Sequence, residues 1–479
     1  MSASFIPVYA GGLTRDPRAA SQLAGAIAAL LSLVTAVLVL AGVLAAPLLV
    51  AVIAPGFSGE KRELTVALVR ILFPGAGLLV LSAWCLGILN SHHRFLLSYM
   101  APVVWNAAMI ATLVTFGAGR DLPVLAVYLA WGSVAGSALQ FLVQLPAALR
   151  LVPGLRLRLR TASADVHTVI RNFGPVALGR GVVQISAYVD AMIGSLLGRG
   201  AVAALANAQL LYTLPVSLFG MSVSAAQLPG MSQDAAAQDA AQGGALNPTA
   251  METRNAALRG RLDAGLRQIA FFVIPSSIAF VALGDVIAAG LLQTGRFTRA
   301  DAIYVWGIVA GSTVGLLAST MARLHASACY ALRDTRTPLR FAVVRVSIGI
   351  VLGYAGATML PPALDIEARW GAAILTAASG VAAWVEFLLL RSRVESTVGR
   401  SRAGGALLSR LWPAAMLSAA AAFGLKLSLS AQHPIVVAAL VLGLYGLLYL
   451  SMTLAFGVPE ASAFANRVRR YYRRGISTQ

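Results

Sequence analysis

The sequence is dominated by runs of about 20 or more apolar residues, each separated from the next by a short polar stretch. A helix of that length spans the roughly 30 Å hydrocarbon core of a bilayer. Prolines inside three of the runs, Pro74, Pro215 and Pro275, predict kinks in those helices. Twelve runs are predicted to cross a membrane: 20–53, 65–90, 98–118, 122–148, 166–197, 201–231, 262–293, 301–330, 337–361, 368–391, 408–428 and 433–457.

The composition agrees with an all-α polytopic membrane protein. Of the 479 residues, 58% are hydrophobic and only 11% are charged, whereas soluble domains average about 25% charged residues. The net charge of +19 could suggest a nucleic-acid partner, but that function needs a soluble basic face. Here the arginines lie in short loops between apolar runs, so we expect no nucleic-acid partner. The two cysteines, Cys85 and Cys329, lie in apolar runs and predict neither a disulfide nor a metal cluster.

Arginine-rich connections alternate with arginine-poor ones along the chain. The positive-inside rule places the arginine-rich set in the cytoplasm, and the C-terminus with it. The longest connection, 232–261, is rich in Ala, Gln, Gly and Asp and is interpreted as a flexible cytoplasmic connector between two halves. The arginine-rich connections are 14–18, 90–94, 148–160, 253–261, 331–340, 391–402 and 467–474.

Polar side chains inside the predicted spans are the candidate functional residues, because a charge in a bilayer costs several kcal/mol unless it is paired or hydrated. Glu386 lies at a similar depth to two arginines, which predicts an Arg345–Glu386 or an Arg323–Glu386 pair that acts as a helix clamp or as a gate. Arg70 has snorkelling to the interface as its simplest explanation, and pairing or gating as the alternative. The neutral candidates are Gln184, Asn207, Gln209 and His325.

Arg180 lies near mid-depth of its predicted helix, with no carboxylate within one turn. Asp190 follows ten residues later and is rotated by about 80° at helical spacing, so the two side chains need not meet. A water-filled cavity that receives an anion explains such an arginine, and the planar guanidinium suits phosphate. The alternative is a pair with Asp190 or Glu386 across helices.

The residues that could support catalysis do not form a recognisable site. The five histidines show no metal-ligand spacing, and no phosphate-binding loop is present. The sequence therefore predicts neither an enzyme nor a cofactor.

Several segments, in order along essentially the whole chain, resemble the MurJ/MviN family of lipid II flippases, which belongs to the multidrug, oligosaccharidyl-lipid and polysaccharide exporter superfamily. Together, the APGF, LPVSLFG and YALRDTRTP segments are specific for this family, although each alone is weak. The segments are FIPVYA (5–10), AAPLLVAVIAPGF (45–57), GILNSHHRF (87–95), NFGPVALG (172–179), LYTLPVSLFGMSVSAAQLP (211–229), LLQTGRFTRADA (291–302) and YALRDTRTP (330–338).

The resemblance implies a multi-pass transporter of the bacterial inner membrane. It would move undecaprenyl-pyrophosphate-linked peptidoglycan precursor (lipid II), or a similar glycolipid, from the cytoplasmic to the periplasmic leaflet by alternating access, as a monomer among membrane lipids. Two pseudo-symmetric helical bundles would surround a cationic cavity, and two further C-terminal helices would form a groove for the lipid tail. The implied division is an N-terminal bundle (1–150), the start of the C-terminal bundle (151–231), the connector (232–261), the rest of that bundle (262–400), and two extra helices with a basic tail (401–479).

The resemblance implies a cavity and also shows where this chain departs from the family. We expect the polar candidates of the predicted spans to bind substrate in that cavity, with Glu386 and Arg70 for pairing or gating. The expected substrate-binding residues are Arg180, Gln184, Asp190, Asn207, Gln209, Arg323 and Arg345. Relatives place an arginine and a nearby polar residue where this chain has Leu210 and Thr213. Asp190 matches one ligand of a monovalent cation site in some relatives, but Gly349 and Gly353 replace its partner, so sodium coupling is not expected.

The N-terminal segment resembles the end of the second of the family's fourteen helices. We therefore expect the first helix and most of the second to be absent, and hypothesise that Met1 is an internal codon of a longer reading frame. Two other functions stay open at this point. The chain could export another polyprenyl-linked oligosaccharide, or it could be a transport-inactive paralogue that scaffolds envelope assembly.

Overall fold

The computed structural model describes residues 2–155, 164–240, 248–332, 334–400, 405–429 and 433–466. Within these ranges the chain is helical and contains no strand. A π-helical segment, Val216–Met221, and a 3₁₀ turn, Ala368–Trp370, interrupt the α-helices. The α-helices are α1 Ser2–Arg15, α2 Pro17–Leu44, α3 Ala46–Ile53, α4 Gly59–Ser91, α5 Phe95–Phe116, α6 Leu122–Leu151, α7 Ala164–Leu196, α8 Ala201–Pro215, α9 Ser222–Ala240, α10 Pro248–Leu292, α11 Arg299–Thr313, α12 Leu316–Ala331, α13 Arg336–Ala363, α14 Gly371–Val398, α15 Gly405–Ser428 and α16 Pro434–Ala455.

Each of the twelve predicted runs coincides with helix in the structure. Ten helices of the described residues are long and apolar enough to cross a membrane, and the bent pair α11–α12 raises the number to eleven. The remaining run, 166–197, corresponds to α7, which is helical but is not among those candidates. The all-α, multi-pass architecture expected from the apolar runs is therefore confirmed.

The chain divides by packing into two units, residues 1–192 and 193–479. The boundary falls near the end of α7, because Val166 and Val169 at the start of this helix are buried in the core of the first unit. The division of the bundles at residue 151 stays a prediction.

The segment interpreted as a flexible connector is helical over much of its length. Helix α9 continues to Ala240, and α10 begins at Pro248, so only residues 241–247 lie outside the described part of this stretch. The low hydropathy of 232–261 suggested a loop, but alanine and glutamine also favour helix whether or not it is buried. At 1.5 Å per residue, the 45-residue α10 is about 68 Å long. Its N-terminal turns therefore extend well beyond a membrane span.

In the first unit, α1 packs its aromatic residues against α4 and the residues just after it. Phe5 and Tyr9 are fully buried and stack with their ring centroids 5.1 Å apart. A Cβ on Gly87 of α4 would lie 2.9 Å from the Phe5 ring, so this close approach requires glycine. The Tyr9 hydroxyl lies 3.2 Å from Nε2 of His92, just after α4. The N-terminal FIPVYA segment is thus a docked part of the first unit's core.

In the second unit, the break between α11 and α12 bends the pair by 44°. Two contacts with α14 hold the bend. The indole Nε1 of Trp384 donates to the carbonyl oxygen of Val314 at 2.8 Å. A Cβ on Gly315 would lie only 2.5 Å from Cα of Gly380, so the two backbones approach as only glycines allow.

The LPVSLFG motif forms the π-helical segment that joins α8 to α9. Pro215 lacks an N–H, so the regular helical ladder is interrupted at this point. Gly220 then packs on Thr320 of α12, where a Cβ would lie 2.8 Å from the threonine methyl group. The hydroxyls of Tyr212 on α8 and Ser319 on α12 are 2.8 Å apart and add a contact between these two helices.

Candidate functional site

Of the predicted site residues, the structure brings Arg345 and Glu386 together. An Nη of Arg345 on α13 lies 3.2 Å from a carboxylate oxygen of Glu386 on α14. The Glu386 side chain is 11% exposed and that of Arg345 is 39% exposed. The carboxylate is therefore largely desolvated, while the guanidinium keeps a face open to a further partner. The pair combines a structural contact with an accessible cation.

Arg323 lies on α12 with its side chain exposed. Within the described residues it has no salt bridge, and Glu386 pairs with Arg345 instead. The backbone carbonyl of Arg323 accepts a hydrogen bond from the hydroxyl of Ser327 at 3.1 Å. An exposed arginine on an apolar helix, with no carboxylate paired to it among the described residues, is available to an anionic ligand.

On α8, the exposed face carries the polar candidates of this helix. The amide of Gln209 donates to the hydroxyl of Thr213 at 3.2 Å, one turn later. Leu210, which stands where relatives place an arginine, is 61% exposed. Asn207 is half-buried. This face therefore offers hydrogen-bonding groups without a charge.

On α7, Gln184 is exposed and Asp190 is half-buried. The side chain of Arg180 lies outside the described residues, although the backbone there is helical. No group of three or more His, Cys, Asp or Glu side chains among the described residues could hold a metal ion. The roles expected for Arg180 and for Asp190 stay predictions.

Near the opposite end of the second unit, a buried carboxylate that the sequence analysis missed joins three helices. Asp285 of α10 is 5% exposed. One of its oxygens accepts from Nζ of Lys426 on α15 at 2.8 Å, and the other lies 3.6 Å from an Nη of Arg299 at the start of α11. A lone aspartate in an apolar run is the signal that could have found it, since such a charge requires a partner.

The same interface contains a second missed feature, centred on the proline of α10. Pro275 has no N–H, so the carbonyl of Phe271 one turn earlier loses its usual helical donor. The hydroxyl of Tyr449 on α16 donates to that carbonyl at 2.7 Å, and the hydroxyl of Tyr445 donates to the Pro275 carbonyl at 2.7 Å. Both tyrosines are buried. Helix α16 thus supplies the hydrogen bond that the proline removes.

The YALRDTRTP segment forms the short connection between α12 and α13. Oxygens of Asp334 accept from the backbone N–H of Thr337 at 3.0 Å and from its hydroxyl at 2.6 Å, which caps the start of α13. These hydrogen bonds lower the pKa of the Asp334 carboxyl. An Nη of Arg393, on the last turns of α14, lies 3.8 Å from the same carboxylate. The YALRDTRTP motif therefore has a structural role: its aspartate holds the start of α13 next to the end of α14, at the arginine-rich end of the second unit.

A buried polar cluster in the first unit was also missed. Ser82 of α4 donates to the side-chain oxygen of Gln144 on α6 at 2.7 Å and accepts from the amide of Gln140 at 3.0 Å. All three side chains are buried. The mutual hydrogen bonds offset part of the cost of placing polar groups between apolar helices, while the Gln144 amide nitrogen is buried without a partner among the described residues. Glutamines four residues apart on one helix are its sequence signal.

Comparisons with known proteins identify the family to which these features belong. The sequence profile of the family described as lipid II flippase MurJ matches residues 1–454. A probable lipid II flippase MurJ from Rhizobium meliloti is 28% identical over 99% of this chain and 86% of its own length. Lipid II flippase MurJ from Burkholderia cenocepacia is 29% identical over 81% of this chain and 72% of its own length.

Solved structures give the same architecture. The structure of lipid II flippase MurJ in an inward closed conformation has a TM-score of 0.72 at 19% identity, covering 95% of this chain and 87% of that one. An inward-facing multidrug-resistance MATE transporter of the MOP superfamily has a TM-score of 0.63 at 18% identity, covering 83% of this chain and 86% of that one. At these identities the likeness establishes the fold. With the profile match over nearly the whole length, it follows that this chain belongs to the MurJ family of lipid II flippases.

Proposed function

We propose that this chain moves lipid II from the cytoplasmic to the periplasmic leaflet of a bacterial inner membrane by alternating access. The observation that carries the proposal is the family match over residues 1–454. The diphosphate and sugars of such a lipid cannot cross hydrocarbon unaided, because an isolated charge pays a large desolvation cost there. The transporter must therefore offer cations that replace the water around the diphosphate.

Arg323 and Arg345 are the cations of the described residues that fit this role best. Arg323 is exposed and has no carboxylate partner in the described part of the chain, while Arg345 is held by Glu386 at 3.2 Å with 39% of its side chain still exposed. In our proposal Arg345 exchanges the Glu386 carboxylate for a diphosphate oxygen when substrate enters. Bidentate guanidinium–phosphate contacts make arginine the appropriate residue for this exchange. The proposed set also includes Arg180, Gln184, Asp190, Asn207 and Gln209.

The proposed orientation places the arginine-rich connections and the C-terminus in the cytoplasm, as the positive-inside rule requires. The activity needs neither a cofactor nor a covalent step, and the substrate is a polyprenyl-diphosphate-linked glycolipid. A monomer suffices, because one chain carries the whole set of proposed residues.

Growth complementation tests the proposal. The chain is expressed in a bacterium whose own flippase can be depleted, together with an Arg323→Ala/Arg345→Ala variant. Arg391→Ala is the matched control, because Arg391 is also an ion-paired arginine of the second unit. It lies in an arginine-rich connection and is bonded at 2.9 Å to Glu395. We expect rescue by the wild type and the control and none by the double variant. Absence of rescue by a wild-type chain that reaches the membrane at normal levels would overturn the proposal.

A further inference from the structure

A pocket of about 400 Å³ lies at the start of α4, on the opposite side of the unit from the arginine-rich connections. Arg62, Val66 and Arg70 line it from successive turns of α4, and Pro47 at the start of α3 lines the facing wall. Eight residues rotate the helix by about 80°, so the two arginines lie on adjacent parts of its surface, and both line the pocket. Their separation along the axis is about 12 Å at 1.5 Å per residue.

The positive charges of this pocket are only partly balanced by the described residues that line it. Both arginines are exposed, and neither has a salt bridge among the described residues. Glu63 also lines the pocket, which leaves it with a net charge of +1 from two guanidinium groups and one carboxylate. That balance suits a singly charged phosphodiester, whose oxygens accept from guanidinium groups. The Glu63 carboxylate can accept hydrogen bonds from hydroxyl groups of the same ligand.

The surroundings indicate a ligand with an apolar part. Leu44 and Leu48, on either side of Pro47, are 70% and 66% exposed. The 33-residue α4 is about 50 Å long, some 20 Å more than a hydrocarbon core of roughly 30 Å. The first turns of α4 therefore reach the headgroup layer, where a charged pocket beside exposed leucines faces lipid. This arrangement fits a lipid better than a free anion.

We propose that this pocket binds the phosphodiester headgroup of an anionic glycerophospholipid, in the leaflet opposite the arginine-rich connections. The arginines hold the phosphate, Glu63 accepts from the headgroup hydroxyls, and the acyl chains lie along Leu44 and Leu48. Arg70, for which the sequence left snorkelling as the simplest explanation, then has a specific partner. The proposal is independent of the transport function, because it concerns a different surface and a different lipid.

Native mass spectrometry of the full chain in detergent tests this site. Phosphatidylglycerol, phosphatidylcholine with the same acyl chains, and inorganic phosphate are titrated separately. The variant is Arg62→Gln/Arg70→Gln, and the control is Arg120→Gln. Arg120 lies at the same end of the unit, with its guanidinium 4.5 Å from the Tyr128 ring centroid. Thermal unfolding of each variant verifies that it is folded.

We expect the double variant to lose about tenfold in phosphatidylglycerol affinity, since it removes charge-assisted hydrogen bonds. The control variant should bind as the wild type does. Phosphatidylcholine should bind more weakly to the wild type than phosphatidylglycerol does. Unchanged affinity of the folded double variant, or an equal loss in the control, would overturn the assignment of the site. Equal binding of inorganic phosphate and phosphatidylglycerol would overturn the assignment of a lipid.

Discussion

Replacing Tyr449 by phenylalanine tests the packing of α16 on α10 most sharply. The change removes one oxygen atom and leaves the shape of the ring. In the wild type, the Tyr449 hydroxyl donates at 2.7 Å to the Phe271 carbonyl, which Pro275 deprives of its usual helical donor. The ring is 7% exposed, so water does not readily replace the lost hydroxyl. The variant therefore leaves a buried carbonyl without a donor.

The expected cost follows from that unmade hydrogen bond. Leaving a buried acceptor unsatisfied costs about 1–3 kcal/mol, or roughly 5- to 150-fold in the unfolding equilibrium constant. In a Pro275→Ala background, the N–H of the new alanine can bond the same carbonyl. The Tyr449→Phe change should then cost less, which gives a coupling energy of about 1–2 kcal/mol between the two positions.

Reversible unfolding of the four proteins in mixed micelles, with denaturing detergent as the titrant, measures this cycle. Tyr354→Phe is the control, since that side chain is 50% exposed and its hydroxyl makes no hydrogen bond among the described residues. It should change the unfolding free energy by less than about 0.5 kcal/mol. Equal costs of Tyr449→Phe in the proline and alanine backgrounds would refute the idea that the tyrosine compensates for the proline.

Two further predictions concern charged contacts in the second unit. Lys426→Met leaves the buried Asp285 with Arg299, at 3.6 Å, as its one ion-pair partner among the described residues. This variant should lower the unfolding free energy by about 3 kcal/mol in the same micelle titration. A smaller loss than that of the Tyr354→Phe control would show that the Asp285–Lys426 pair does not stabilise the fold. The lowered pKa of Asp334 means that its capping contribution is complete above its ordinary value of 3.8 and is lost as the pH falls through the folded-state value. Asp334→Asn should therefore lower the melting temperature more at pH 7 than at a pH below 3.8, and an equal effect at both pH values would contradict the assignment.

The predictability of the fold has a simple physical origin. A bilayer requires long apolar helices, so the length of each run predicted the helices, and only their ends were uncertain. The stretch 232–261 carried no such constraint. Its helical parts are the end of α9 and the start of α10. They depend on the helix propensity of their residues, which hydropathy does not report.

The contacts of the site were less predictable, because they join residues that are distant in sequence. Depth along the helices gave Arg323 and Arg345 as partners of Glu386, with Arg180 as a further alternative, but only the packing of α13 against α14 selects Arg345. Asp285 and Lys426 are 141 residues apart, and the partner of Tyr449 is a backbone carbonyl that no side-chain pattern reveals. The contacts that hold α15 and α16 against α10 could therefore be identified only from the three-dimensional structure.

The central claim, that this chain moves lipid II between leaflets, is tested most directly by the accessibility of lipid II in living cells. The host flippase is depleted, the chain is expressed, and a hydrolase that cleaves lipid II is added outside the inner membrane. We expect cleavage to return with the wild-type chain to the level seen with the host's own flippase, and to stay low with the Arg323→Ala/Arg345→Ala variant. Lipid II that remains protected, in cells whose membranes contain the wild-type chain at normal abundance, would contradict the claim.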